Sequence, residues 1–447
     1  MVRPGVSAVL VVMLVEYLIL ALPRTVLPRM QAAAFGERAI LVAALTESIK
    51  GFLALVSNLV LGQLSDTMGR KSLLLITVTG TAFPPCTLAF FPDNMLLYQA
   101  AVAVSGLFAA TFSVSYAAIA DLEPDRAARL KAYGLAMSTL ALSLIIGPRF
   151  APYLCTATAE PVGPASGGCQ RLFGLLPLLV FGNAVFIYAA VPEPLPPAGK
   201  LSPNPQAPSP PRALGGNGTP PATPPKAAAL GYGTVELFRR NAELRRLGFI
   251  TAVYYVPVYG VIATLLVHLH RHLDYTATDG ANFLGTMGAS AVLSCSVLLP
   301  MAGGFGIDGR MTVKGGLWSL TAALVLFGLG TTRAHFLLGA VFMGGAFITS
   351  PGINALVSAS APAGEQGAAQ GGVNGLKALT EGVGPLLFAS VFAFFGADSV
   401  LPGAPYLLGA FLVQVALKLA SEIPPAALAT TPPRPKSPEH LRRAGGP

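Results

Sequence analysis

The sequence predicts an all-α integral membrane protein with twelve transmembrane helices in two six-helix bundles. Three observations carry this. The chain is 53% hydrophobic and only 11% charged, against about 25% charged residues in soluble domains. Its apolar residues fall into runs of the length a bilayer demands, roughly 20 residues each. A proline-rich stretch divides those runs six and six.

The expected spans are 6–27, 39–62, 72–91, 95–120, 132–154 and 172–191, then 246–267, 279–300, 313–331, 335–358, 367–395 and 404–422. The first run is too long for a cleavable leader and lacks a small-residue cleavage site, so it reads as a spanning helix. Helices are the default because unpaired backbone groups are too costly in hydrocarbon. The alternation of a transmembrane barrel is absent. The expected domains are a bundle over 1–191, a linker over 192–245, a bundle over 246–423 and a disordered tail over 424–447. The linker, with "VPEPLPPAGKLSPNPQAPSPPRA", is too rich in proline to bury apolar surface and should be extended.

Basic residues set the orientation. Arg70-Lys71, Arg126, Arg129 and Lys131 lie in short hinges on the side that also holds both termini and the linker. The positive-inside rule makes that side cytoplasmic. The net charge of +9 therefore reflects orientation, not nucleic-acid binding. The sequon at Asn217 falls in the linker, on the side where no glycan is expected. Plasma membrane and endomembrane remain equally open.

The two halves resemble each other. "AYGLAMSTLALSLIIGP" and "QGGVNGLKALTEGVGP" each run from a polar hinge into a span that reaches Gly-Pro, at Gly147-Pro148 and Gly384-Pro385. Parallel repeats mark transporters whose halves rock about a central site. Each proline removes a backbone donor and is expected to kink its helix.

"GQLSDTMGRK", between spans 2 and 3, resembles the G-x-x-x-D-x-x-G-R-K signature of the major facilitator superfamily. The flanking "KGFLALVSNLVLGQLSDTMGRKSLLLITV", with "FSVSYAAIADL" and "INALVSASAPAGEQGAAQG", is similar to the hippocampus-abundant-transcript-like branch, neighbour of the tetracycline-type antiporters. The resemblance implies a major facilitator fold and a secondary active transporter. Gly62 and Gly69 suit close helix approach and a tight turn. Asp66 suits the positive N-terminal end of a neighbouring helix; by similarity this is span 11, near Gly367. Arg70 is expected to pair with Asp121, and Lys71 to add a topogenic charge. The set would latch the halves on this side. In the second half, "GGFGIDGRMTVKG" keeps Gly309-Arg310 but has Gly306 where Asp66 would align, so any second latch is weaker.

Ionisable residues inside spans cost about 2.5–3.5 kcal/mol each on insertion scales and mark function by default. Span 2 carries Glu47, Lys50 and Asn58 on one stripe with Ala54; span 11 carries Gln370, Asn374, Lys377 and Glu381 on another. In the family fold these spans meet between the halves, so both stripes are candidates for the translocation pathway. Each also has a plain neutralising partner in its own helix, Glu47 with Lys50 and Lys377 with Glu381. Glu16, midway along span 1, is the candidate protonatable coupling group. Arg149, after Gly147-Pro148, is a candidate for recognising an anion. Tyr254, Tyr255, Tyr259 and Asn354 are candidates for lining an organic-solute site. The family's drug and proton antiporters place an Arg where this chain has Val102, which departs from the usual coupling route.

His268, His270 and His272 have weak metal-ligand spacing and read as a wet helix end. No metal site and no cofactor are expected. Cys155 and Cys169 share an outer loop, where an oxidising compartment permits a disulfide. Cys86 and Cys295 read as buried apolar residues. No phosphate loop, nucleophile elbow or metalloprotease pattern occurs, so the chain is not expected to be an enzyme. The expected partners are a small-molecule substrate, the lipid bilayer and a coupling proton. The protein is expected to be monomeric. A non-transporting receptor, scaffold or trafficking factor on a transporter fold is the alternative.

Overall fold

Without water to satisfy them, backbone groups must pair inside their own segment. Every regular element among the described residues of the computed structural model is accordingly helical. Those residues are 3–155, 167–194, 231–275, 277–304, 307–362, 364–395 and 402–423.

In the first half, α1 (Pro4–Ala21), α2 (Leu27–Phe35), α3 (Ala39–Met68), α4 (Arg70–Gly80), α5 (Phe83–Phe90), α6 (Met95–Ser105), α7 (Thr111–Leu122), α8 (Arg126–Leu154) and α9 (Gln170–Ala190) follow in order. In the second half come α10 (Tyr232–Arg240), α11 (Ala242–Leu273), α12 (Ala277–Leu293), α13 (Leu299–Gly304), α14 (Gly309–Leu329), α15 (Arg333–Gly345), α16 (Thr349–Ser360), α17 (Gln366–Phe395) and α18 (Ala404–Ser421). Eleven segments among the described residues are long and apolar enough to cross a membrane. With the 30-residue α17 they make the twelve spans expected from the sequence.

Several spans consist of two helical pieces. The fourth bends at a 3-10 turn, Gly106–Phe108, between α6 and α7. The tenth bends at a 3-10 turn, Ala346–Ile348, between α15 and α16. These equivalent positions extend the internal repeat beyond the Gly-Pro pairs. The eighth carries a π-helical turn, Ser294–Leu298. By contrast, α8 runs helical through Gly147-Pro148, and α17 through Gly384-Pro385.

Each half has its own packed interior. Val9, Leu73, Leu74, Tyr116 and Tyr133 belong to that of the first; Leu317, Phe327, Val357 and Tyr406 belong to that of the second. Burial on both sides of the seam leaves long apolar side chains such as Phe181, Tyr188 and Phe411 for lipid.

One face gathers the chain's crossing points. Arg3 donates to the Leu122 carbonyl at 3.1 Å and lies 3.4 Å from Glu123. Glu193 lies at the hinge of Arg70. Arg246 reaches the Glu422 carbonyl at 2.9 Å. The residues bordering both termini and the linker thus share the face of the 69–71 turn, here the hinge face. The expected linker 192–245 is ordered at its far end: α10 and the start of α11 occupy 232–245. After the prolines, "YGTVELFRR" is amphipathic and helix-competent, and the Asn241 side chain caps α11 by accepting from Glu243 and Leu244 at 3.0 and 3.1 Å. The sequon, Gly306 and the tail over 424–447 lie outside the described residues.

Candidate translocation pathway and hinge

Small residues bring the halves together. A Cβ on Gly62 would lie 2.5 Å from the Gly367 carbonyl and 2.8 Å from Gly371 Cα; one on Gly51 would lie 2.8 Å from the Ala378 carbonyl. The backbones of α3 and α17 therefore touch along much of their length, as small-residue seams in membranes allow.

At the hinge end of this seam Asp66 meets the first turn of α17. Its carboxylate accepts the Gly367 N–H at 2.8 Å and the Ala368 N–H at 2.9 Å, where α17 has unpaired donors and the positive end of its dipole. Arg70 is fully buried. It donates to Asp66 at 2.7 Å, to Asp121 at 2.8 Å and to Ser65. A buried guanidinium requires this degree of pairing. Gly69 has φ +96°, and a Cβ there would lie 2.5 Å from a Glu193 oxygen. That carboxylate accepts the backbone N–H of Arg70 at 2.9 Å and of Lys71 at 3.0 Å. The Lys71 ammonium lies 5.4 Å from the Tyr188 ring centroid.

Further ties close the hinge face. Tyr133 and Ser358 share a hydrogen bond of 2.8 Å between α8 and α16; farther into the membrane, Ser296 of the π-helical turn donates to Ser138 at 2.7 Å. α10 reaches across as well. Thr234 donates to the Leu59 carbonyl at 3.0 Å, and the Gly231 N–H to Gln63 at 2.9 Å, both on α3. On its other side, Arg240 pairs with Glu365 at 2.7 Å. The partners of Glu193 and α10 had no legible signal: each acts on a residue more than a hundred positions away.

Deeper in, the charged stripes meet differently from their in-helix expectation. Lys50 pairs with Glu47 at 3.0 Å and with Glu381 of the opposite half at 3.5 Å. No Lys377–Glu381 pair forms. Glu381 is drawn to Lys50, and Lys377 points over aromatic faces, 4.1 Å from the Phe112 centroid and 5.0 Å from that of Tyr255. Phe112 belongs to the first half and Tyr255 to the second. Ten residues of rise from Gly367 place Lys377 roughly 15 Å into the membrane.

Tyr255 stacks with Tyr259 at 5.7 Å and meets Tyr254 edge-on at 4.6 Å. Across the seam, Phe112 packs with Tyr17 and Tyr116. Glu16, nearly buried, accepts from Thr111 at 3.0 Å and Thr81 at 3.1 Å through one oxygen. Its other oxygen has no hydrogen-bond partner among the described residues. Twelve residues from Pro4, it sits roughly 18 Å deep, comparable to Lys377.

The other polar candidates bond within and between helices, with the side-chain oxygens of Asn354 and Gln370 left without a partner among the described residues. Asn58 donates to the Ala54 and Ala109 carbonyls at 2.8 and 3.0 Å and accepts from Ser113, which ties α3 to α7. Asn374 donates to the Gln370 carbonyl at 2.9 Å, and Gln370 donates to the Asn354 carbonyl at 3.1 Å. Asn354 donates to the Ser350 carbonyl at 2.7 Å. Arg149 is not brought to the Lys50–Lys377 group: it is exposed beside Gly285 of α12. The Gly-Pro glycines work as contact points. A Cβ on Gly147 would lie 2.7 Å from that of Ala21, and one on Gly384 would lie 2.5 Å from the Val256 carbonyl. His268 is buried among Phe336, Phe392 and Tyr406, not at a wet helix end. Cys155 and Cys169 form a disulfide, while Cys86 and Cys295 are free.

Comparisons agree with this architecture. The sequence matches the Major Facilitator Superfamily over residues 8–385. It is 28% identical to the human hippocampus abundant transcript 1 protein, over 87% of this chain and 78% of that one. It is 23% identical to the class G tetracycline resistance protein of Vibrio anguillarum, over 83% and 85%. The crystal structure of the human organic anion transporter MFSD10 superposes with a TM-score of 0.75 at 21% identity, covering 94% of this chain and 99% of that one. An outward-facing bacterial homologue of the iron transporter ferroportin gives 0.65 at 17% identity, covering 94% and 99%. With its hinge signature, its twelve spans and its paired halves, the chain belongs to the major facilitator superfamily of membrane transporters.

Proposed function

We propose that the protein is a secondary active transporter that moves a small organic solute bearing an anionic group by alternating access. The observation that carries this is Lys377. It is a mid-membrane cation with no carboxylate partner among the described residues, held at the seam between Phe112 of one half and Tyr255 of the other. Ring faces lower the cost of keeping a bare ammonium there and leave its donors for a ligand. Lys50, by contrast, is already neutralised by two carboxylates.

A solute held between Lys377 and the tyrosines would touch both halves. It would therefore bind one arrangement of the halves better than another, as a ligand must do to bias their motion. Glu16 is the coupling candidate, since its unpartnered oxygen has room for a proton. The hinge face is the cytoplasmic one by its basic residues, and the Asp66–Arg70–Asp121 group is the latch that holds it shut. A monomer suffices for this cycle.

Flux measured in proteoliposomes, against a panel of organic anions, cations and neutral solutes, with and without a pH gradient, tests the proposal. Anions should be carried. K377Q should lower flux at least tenfold where K377R retains part of it, and E16Q should remove the dependence on the gradient. Wild-type protein that carries no member of the panel, or K377Q with unaltered flux, would overturn the reading; total inactivity favours the receptor or scaffold alternative.

A further inference from the structure

Far from the pathway, the second bundle carries a lipid-facing seam that the transport cycle does not use. α14 begins at the hinge face and α18 ends there, antiparallel and side by side. Lys314, Trp318 and Val325 follow one stripe of α14, at spacings of four and seven. Lys418, Gln414 and Phe411 follow one stripe of α18. Between the stripes lies a depression of about 350 Å³, lined by Lys314, Trp318, Gln414, Leu417, Lys418 and Ser421.

The seam changes character with depth. Lys314 lies five residues from the start of α14 and Lys418 three from the end of α18, which puts both roughly 5–8 Å below the helix ends. At that depth a lysine stem lies along apolar surface while its ammonium reaches the headgroups. Neither lysine has a carboxylate partner among the described residues; the nearby Glu422 pairs with Arg246 at 3.9 Å. One turn deeper, roughly 13 Å below the start of α14, Trp318 is 60% exposed. Gln414 donates to Thr321 at 2.8 Å, which pins the two stripes together. Deeper still, the outward side chains are Phe411 and Val325; Val415 lies outward closer to the lysines.

We propose that this seam binds one anionic glycerophospholipid of the hinge-side leaflet. Its phosphate and acidic headgroup sit between Lys314 and Lys418, and one acyl chain follows Trp318, Phe411 and Val415. Charge at the hinge-side end and apolar side chains below it match the headgroup and acyl chain of the lipid. Two convergent, unneutralised ammoniums distinguish an acidic headgroup from a zwitterionic one.

Trp318 is the only tryptophan in the chain, so its fluorescence reports on this seam alone. Full-length protein is reconstituted in phosphatidylcholine vesicles with a minor fraction of phosphatidylserine, with bromine on the acyl chains of one lipid or the other. Brominated phosphatidylserine should quench Trp318 with a relative affinity on the order of tenfold above that of brominated phosphatidylcholine. K314Q/K418Q should bring the two to parity. K131Q, which removes an exposed cation from the other bundle, should keep the preference. Equal quenching by both lipids in the unsubstituted protein would overturn the proposal, and would point to a zwitterionic lipid or the 424–447 tail as occupant. So would an equal loss of preference in K131Q. The contrast between lipids in the unsubstituted protein needs no variant to fold.

Discussion

The Asp66 carboxylate and the Gly367 amide, 301 positions apart in sequence, lie 2.8 Å apart, with the Ala368 amide on the second oxygen. This is an N-cap supplied in trans: α17 takes the acceptor for its first turn from the opposite half. Charge-assisted bonds of this kind contribute about 1.5–3 kcal/mol each. Asp66→Asn keeps one acceptor and loses the charge. Amide exchange of Gly367 and Ala368 should then accelerate at least tenfold, with little change in the interior of either bundle. Unchanged exchange at those two amides would mean that Asp66 does not hold the face shut.

Gly62 is constrained by backbone on both sides. Gly62→Ala places a carbon against the Gly367 carbonyl and Gly371 Cα, neither of which can swing away. The expected cost is about 1–3 kcal/mol, read as a lower thermal midpoint in detergent together with reduced flux. Gly174 on α9 is the control: a Cβ there meets nothing within 4 Å. Gly174→Ala should be neutral or stabilising by up to about 1 kcal/mol.

The Lys50–Glu381 pair joins the halves above the Lys377 level, at 3.5 Å. A double-mutant cycle of Lys50→Gln and Glu381→Gln should give a coupling energy on the order of 1 kcal/mol. Lys50→Gln should cost more than Glu381→Gln, because it leaves both Glu47 and Glu381 without their cation. The reversed order of the two single variants would show that Lys50 does not serve both carboxylates.

Cys155 and Cys169 are disulfide-bonded and Cys86 and Cys295 are free. Denatured, unreduced protein from an oxidising compartment should therefore titrate two thiols, and reduced protein four. Closing a loop of this length contributes about 3 kcal/mol by chain entropy, so Cys155→Ser and Cys169→Ser should lower the thermal midpoint to a similar extent.

The hinge was legible in the sequence because its motif prescribes chemistry: a carboxylate for a helix start, a glycine for a turn at φ +96°, an arginine for a second carboxylate. Eleven of the spans stand out by apolar run length; α17, with its polar stripe, is the weakest by that measure. Pairing inside the membrane was legible only in part: Glu47–Lys50 forms as its spacing allows, but Lys377–Glu381 does not. Spacing of i, i+4 gives Lys377 reach to Glu381, but it does not show that Lys50 competes for that carboxylate or that Phe112 offers a ring face. For Arg149, charge inside a span did not show that its neighbour would be Gly285 of the opposite half, apart from the Lys50–Lys377 group. Glu193, Thr81 and Thr111 carry no pattern of their own and become visible only when the helices are assembled.

α10 is continuous with the second bundle through Asn241, yet its Thr234 and the preceding Gly231 hydrogen-bond to Leu59 and Gln63 of the first. The segment that follows the proline-rich stretch is therefore held by both halves: Gly231 and Thr234 bind the first, and Arg240 binds Glu365 of the second. Parting the halves on this face must peel α10 from α3, a step with no counterpart on the opposite side among the described residues. In the proposed alternating-access cycle, opening on this face therefore carries the added step of releasing α10 from α3.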